Sequence, residues 1–379
     1  MNQKEAEPES ERPVGFSSGQ PRIDEGAKPT TEMGNLDLRQ MTMRLMRGEN
    51  FARSEAANFL NMLMSPAATD AQVAAALIAL TAKGETVEEL AGMAEAMRSR
   101  AVPVHSNHER FIDTAGTGSS SAKTFNVSTA AAFVIAGAGV PVAKHGSRAA
   151  TSHCGSADVL EALGVNTAAA PGTVERCLNK HAICFMFAPL FHGATARVAN
   201  VRRQLGVRTT FNLLGPLTNP ARAPFQILGV WHPSLLERVA SALALLGTEK
   251  AWVVHGADGL DEITIADKTF VAACSSSGEV ETFTTSPEDF GLKRQSLDGF
   301  RGTSPRENAQ LIRSILHREK TKKIAAARDL VIVNSAAAIH IAGFARDVRE
   351  AAIFARESID TGGAASKLDA LIRETNRSC

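Results

Sequence analysis

The chain has 379 residues, 44% hydrophobic and 21% charged, enough for a sizeable core and two domains. Its formal net charge of +1 excludes an attraction to nucleic acid or membrane driven by bulk charge. Five cysteines (Cys154, Cys177, Cys184, Cys274 and Cys379) form no Cys-x-x-Cys pair and are odd in number, so they read as free thiols in a reducing compartment.

In chain order, residues 1–34 are polar, rich in Glu, Pro, Ser and Gly, and lack periodicity; a disordered tail is expected. Glu5, Glu7, Glu9 and Glu11 count against a targeting peptide, and no apolar run reads as a membrane span or signal core. A cytoplasmic protein with no membrane partner is therefore expected. Residues 35–103 carry helical periodicity and predict a small all-helical domain. Leu38, Met41, Leu45 and Met46 suit one face. Ser54 opens a second helix, Asp70 reads as the cap of a third that stops at Gly84, and Thr86 with Glu89 has capping-box spacing. Pro103 lies in a linker. From 104 to 379 strands are expected at 111–114, 140–143, 182–187, 225–230, 251–255 and 330–333, with helices between them. That alternation predicts an α/β domain with a mostly parallel central sheet flanked by helices. Residues 192–219 interrupt it, with helix expected at His192 and 194–206. Residues 269–300 read as antiparallel strands and loops. Helices follow from Ser335 to Gly343, from an Asp347 cap to about 359, and over 364–373.

The densest chemistry lies between Asp113 and Asp158. Gly116-Thr117-Gly118 follows the first strand and runs into Ser119-Ser120-Ser121. Asn126-Val127-Ser128-Thr129 then precedes an apolar helical run. Lys144-His145-Gly146-Ser147-Arg148 ends the second strand, and Gly155-Ser156 opens another helix. Glycines let backbone approach an anion, and helix starts favour negative charge. Ser128 or Thr129 can cap the helix and still offer a hydroxyl to a ligand or to Mg²⁺. Lys144 and Arg148 add positive charge. The loop is neither a P-loop, which needs glycine at 117 and 122, nor a dinucleotide fingerprint, whose third glycine is Ser121 here. By itself the GTG run fits a tight turn equally well.

Two further groups stand out. Asp261-Glu262 follows the strand at 251–255, and Mg²⁺ binds through one or two carboxylates plus substrate phosphates. An isolated acidic pair is usually a solvated turn; the neighbouring phosphate loop favours metal. Adjacent side chains of a strand face opposite ways, so a shared site requires a loop or two ions. Arg202 has the planar fork that grips a carboxylate. The plain alternative, a surface helix arginine, suits Arg203. For His145 a backbone-bonded strand end and a substrate role both stand.

Joined at this spacing, the motifs resemble those of the anthranilate phosphoribosyltransferase family. That family carries GTGGD, N-[IV]-S-T, KHGNR and GS-[AS]-D. Arg202-Arg203, 208–217, His255-Gly256 and Asp258-Gly259-Leu260-Asp261-Glu262 extend the resemblance over about 36–371. Three departures are visible: Ser119-Ser120-Ser121 for Gly-Gly-Asp, Ser147 for Asn, and Phe191-His192-Gly193 for Tyr-His-Pro. The resemblance implies transfer of phosphoribose from 5-phosphoribosyl diphosphate to anthranilate, with Mg²⁺ and without a covalent nucleophile. It implies that Gly116, Thr117, Gly118, Thr124, Asn126, Ser128, Thr129 and Lys144 hold the diphosphate and ribose. Ser156 meets the ribose phosphate; Gly116, Ser147 and Arg202 face anthranilate, with His145, Gly146 and, less firmly matched, His192 beside them. Ser128, Asp261 and Glu262 take the metal. Residues 192–219 would complete the helical domain, through which a homodimer forms. The alternatives are a nucleic-acid-binding relative of the same fold, which the charge disfavours, and a phosphorylase or transferase with another acceptor.

Overall fold

The computed structural model describes residues 37–118, 122, 124–149, 154–297, 304–319 and 321–377. The tail expected over 1–34, serines 119–121 and Cys379 lie outside them.

Four helices come first: α1 (Leu38–Met46), α2 (Arg53–Leu63), α3 (Asp70–Lys83) and α4 (Val87–Ser99). Their ends correct one expected cap. Thr69 caps α3, accepting from the Gln72 N–H while Gln72 reaches back to the Thr69 N–H. Asp70 instead lies in the first turn, where a carboxylate suits the helix dipole. Ala52 precedes α2, and Glu55 accepts its N–H. Thr86 and Glu89 do form the expected capping box. Glu89 is fully buried and also accepts from Lys83 at 2.9 Å and the Phe51 N–H at 2.8 Å, tying three segments together.

The α/β part runs β1 (Ile112–Gly116), α5 (Val127–Gly137), β2 (Val142–Gly146), α6 (Ser156–Ala162), α7 (Pro171–His181) and β3 (Ile183–Phe187). It continues through α8 (Ala188–Phe191), α9 (Ala196–Leu205), α10 (Phe211–Leu217), β4 (Phe225–Gly229), α11 (Leu236–Leu245) and β5 (Lys250–Gly256). Last come β6 (Thr269–Ser275), β7 (Val280–Thr285), α12 (Pro305–Leu316), α13 (Lys322–Ile341), α14 (Val348–Asp360) and α15 (Gly363–Thr375). The strands form one sheet in the order β3-β2-β1-β4-β5-β6-β7, parallel through β5 and antiparallel beyond it. The order reverses between β1 and β4. In parallel sheets that switch point opens a crevice at the carboxyl ends of the strands, where ligands bind.

The strand expected at 330–333 does not exist. Leu330, Val331, Ile332 and Val333 sit in the middle of α13, all essentially buried. A short apolar run cannot distinguish a strand from a helix buried all round. The 18 residues from Ile324 to Ile341 are also long and apolar enough to cross a membrane, against expectation; here 78% of that window is buried inside the protein. It packs on α5 and α14, which makes it a core helix.

His192 is not part of the helix expected there; it ends α8, and α9 begins at Ala196. Helices α9 and α10 lie against α3 and α4. Thr210 donates to Glu85, Arg98 Nε to the Leu217 carbonyl at 2.7 Å, and Arg197 to the Pro66 carbonyl at 2.7 Å.

Candidate active site

A cavity of about 440 Å³ opens where β1, β2 and β3 end, roofed by α9 and α10. All the residues expected to bind diphosphate, acceptor or metal line it. The chain reaches it by several separate turns, each held by identifiable contacts.

The first turn follows β1. The Thr117 N–H and hydroxyl both donate to the Gly229 carbonyl, at 2.9 and 3.1 Å, which pins Gly116-Thr117-Gly118 to the end of β4. Gly118 has φ +62°, a left-handed conformation natural to glycine. Thr124 donates to the Phe125 carbonyl at 3.1 Å. Asn126 stands at the cap position of α5 but makes no cap bond. Its amide donates to the Cys154 carbonyl at 3.2 Å, and its own oxygen accepts from Asn308 at 2.9 Å. The expected capping by Asn126, Ser128 or Thr129 is therefore absent, because long-range partners claim Asn126 and the other two lie inside the first turn. Among the described residues Thr129 Oγ is buried with no hydrogen-bond partner, and the Ser128 N–H points at Glu262 Oε1, 3.3 Å away. The positive end of the helix thus meets a carboxylate.

The second turn follows β2. Lys144 is buried, and its Nζ donates to the Thr114 carbonyl and lies 3.3 Å from both the Thr114 and the Ser128 hydroxyls. Burial pushes its pKa down; the carboxylates of Asp113 and Glu262 oppose that. Asp113 is fully buried, accepts the His145 N–H at 3.2 Å, and is pushed up to about 6 by burial against the pull of Lys144. Sequence reading gave Asp113 no role, although a carboxylate inside an apolar strand is a usable signal. His145 packs edge-on to His192 with ring centroids 5.1 Å apart, and among the described residues its Nε2 is buried with no hydrogen-bond partner. Burial first, then His192, lowers His145 to about 3, while burial lowers His192 to about 4. Both imidazoles are neutral at physiological pH. Gly146 passes so close to α6 that a Cβ there would lie 2.1 Å from Ser156 Oγ. The Ser147 carbonyl accepts from Ser156 Oγ at 3.3 Å, so these two expected contacts adjoin. Arg148 does not supply free charge: its fork closes on Asp158 at 3.1 Å and Glu161 at 2.6 Å.

Arg202 enters from α9. Its guanidinium lies over Phe211, 5.4 Å from the ring centroid, and donates to Asn212 Oδ1 at 3.2 Å. Among the described residues its Nε is buried with no hydrogen-bond partner, and burial lowers its pKa. A desolvated cation with only neutral neighbours is costly until an anion joins it. This is not the surface arginine of the plainer reading.

Asp261 and Glu262 follow β5 in a bend rather than a strand, so both face the cavity despite being adjacent. The bend is held by Gly229, where a Cβ would lie 1.6 Å from the Asp261 carbonyl oxygen. Sequence reading missed Gly229; a glycine closing an apolar strand was the available signal. Burial, then the charge of Asp261, pushes Glu262 up to about 8. Two crowded carboxylates with a serine hydroxyl nearby form an all-oxygen set that suits Mg²⁺. Among the described residues no group of three or more His, Cys, Asp or Glu could hold a metal alone. The set therefore fits an ion completed by ligand oxygens.

Comparison with known proteins agrees with this geometry. The glycosyl transferase family, a/b domain, matches residues 108–365, and the glycosyl transferase family, helical bundle domain, matches residues 39–101. The chain is 47% identical over 335 residues to the anthranilate phosphoribosyltransferase of Moorella thermoacetica, covering 88% of this chain and 97% of that protein. It is 47% identical over 337 residues to that of Desulfosudis oleivorans, covering 89% and 98%. Among solved structures, anthranilate phosphoribosyltransferase (TrpD) from Thermus thermophilus superposes with a TM-score of 0.82 at 38% identity, covering 89% of this chain and 99% of that one. The Saccharomyces cerevisiae enzyme in complex with PRPP and Mg gives 0.80 at 27% identity, covering 89% and 97%. With its sheet order, its two joined loops and these similarities in agreement, the chain belongs to the anthranilate phosphoribosyltransferase family.

Proposed function

We infer that the protein transfers phosphoribose from 5-phosphoribosyl diphosphate to anthranilate, giving N-(5-phosphoribosyl)anthranilate and pyrophosphate, a step of tryptophan biosynthesis. The observation that carries this is one cavity with opposite chemistries: a glycine and hydroxyl cradle beside two carboxylates, and a buried, incompletely partnered guanidinium from α9. The nucleic-acid-binding and phosphorylase alternatives are not favoured, since the relatives are transferases.

Catalysis here consists of positioning and charge management. The weakly nucleophilic amine attacks the anomeric carbon as diphosphate leaves. Gly116, Thr117, Gly118, Thr124, Asn126, Ser128, Thr129 and Lys144 receive the diphosphate and ribose, and Ser156 the ribose phosphate. Arg202 takes the anthranilate carboxylate, with Ser147 and Gly146 along the acceptor side. The neutral His145 and His192 rings accommodate an aromatic acid without competing for its charge. Mg²⁺, held by Ser128, Asp261 and Glu262, would neutralise charge on the diphosphate.

Within the same reading, residues 35–103, completed by 192–219, form the helical domain, and 104–379 the catalytic one. A homodimer through the helical domain is supported by the exposed Met43, Met46 and Ile78 of α1 and α3. Among the described residues Cys177, Cys184 and Cys274 form no disulfide, which supports a cytoplasmic location. The test is direct. Purified protein with Mg²⁺, phosphoribosyl diphosphate and anthranilate consumes anthranilate fluorescence, and Asp261→Asn with Glu262→Gln abolishes this. Steady fluorescence with the folded wild-type protein would overturn the proposal.

A further inference from the structure

A second cavity, of about 410 Å³, opens at the opposite edge of the sheet, beside the amino ends of β4 and β5. Its walls are Glu95 and Arg98 of α4, Arg222 and Ala223 ahead of β4, and the turn between α11 and β5 that includes Leu246 and Thr248. It therefore spans the junction between the helical bundle and the sheet.

The charges in it do not cancel. Glu95 is consumed by Arg53, whose Nη2 and Nε reach its two oxygens at 2.5 and 2.9 Å. Arg98 donates only to backbone carbonyls, Leu217 at 2.7 Å and Leu246 at 3.2 Å, and forms no ion pair among the described residues. Arg222 makes no side-chain hydrogen bond or ion pair among the described residues. Its backbone sits at φ +52°, the left-handed region that a non-glycine residue adopts at some cost. Burial, then the like charge of Arg222, pushes Arg98 down to about 10, with Glu95 opposing. Thr248 is buried and its hydroxyl has no hydrogen bond among the described residues. Two guanidinium groups thus face one polar pocket with an excess of positive charge, since Glu95 is shared with Arg53, and with a hydroxyl donor to spare. Planar forks of this kind match phosphate oxygens, and an anion offsets the excess positive charge.

We propose that this pocket binds the phosphate group of a small phosphorylated molecule between Arg98 and Arg222, with Thr248 as a further donor, and so ties α4 to the sheet. The site is separate from the first cavity, and the inference does not depend on the reaction proposed there.

Inorganic phosphate is the probe, titrated into the full chain by calorimetry at constant ionic strength. Because the first cavity is proposed to hold a diphosphate, wild type is compared with Arg222→Ser and Lys144→Ala. The expected result is an Arg222-dependent class of site in the wild type, beside any class in the first cavity. Arg222→Ser, an exposed substitution, weakens that class at least tenfold while its anthranilate turnover without added phosphate is unchanged. Lys144→Ala keeps that class. Acetate, a monoanion, competes at least tenfold less well at the Arg222-dependent class. An Arg222→Ser isotherm that superimposes on wild type, loss of every class of site in Lys144→Ala, or equal competition by acetate at the Arg222-dependent class would each overturn the proposal.

Discussion

Gly229→Ala should uncouple the phosphate loop from the acidic pair. The Gly229 carbonyl accepts both Thr117 donors, and its Cα abuts the backbone of Asp261. An added Cβ would lie 1.6 Å from the Asp261 oxygen and 2.5 Å from its carbonyl carbon. Backbone on both sides cannot yield like a flexible side chain, so the 261–262 bend must retreat by roughly 2 Å to reach an ordinary contact. Overpacking of that kind costs about 1–3 kcal/mol of stability. The larger effect is on turnover, because misplacing a reacting group by about 1 Å costs on the order of 10²-fold. The expected outcome is a folded variant whose kcat/KM, followed by anthranilate fluorescence, drops about a hundredfold and whose half-saturating Mg²⁺ concentration rises. Urea denaturation checks the stability part. If kcat/KM stayed within about threefold of wild type with unchanged Mg²⁺ dependence, the coupling through Gly229 would be refuted.

Arg202→Gln removes a charge-assisted fork worth about 2–3 kcal/mol, so KM for anthranilate should rise about a hundredfold while KM for the diphosphate donor barely moves; equal rises in both would count against the assigned role. His192 has a folded-state pKa of about 4, below that of an unfolded histidine. The stability tied to its neutral form is present above about pH 6.5 and is lost as pH falls toward 4, by up to about 3 kcal/mol. Urea midpoints at pH 7 and 4.5 should therefore differ less for His192→Asn than for wild type, and an identical difference would contradict the argument. Glu89→Gln strands the buried Lys83 and should cost about 3 kcal/mol in urea denaturation; a loss under about 1 kcal/mol would mean the pair is not a support of the helical domain.

Much of the molecule was legible before folding. Strand–helix alternation from 104 onward announced a parallel sheet, and the Thr86–Glu89 spacing announced a cap, because both arise from bonds between near neighbours. The loops after β1, β2 and β5 were legible as a site because strands of one direction deliver their carboxyl ends to one edge. Other features depended on partners far away in sequence. Residues 330–333 became helix because α5 and α14 surround them, and burial on all sides erases the periodicity that separates the two states. Asn126 gave up its cap for Cys154 and Asn308, and Arg148 gave up its free charge to Asp158 and Glu161. That Arg202 is desolvated over Phe211, and that Gly229 carries the acidic bend, follows from how α9 and the segment after β5 pack. Short-range bonding is written residue by residue in the chain. Desolvation, charge neutralisation and close backbone approach exist only once distant segments meet, and those decide what the cavity can bind.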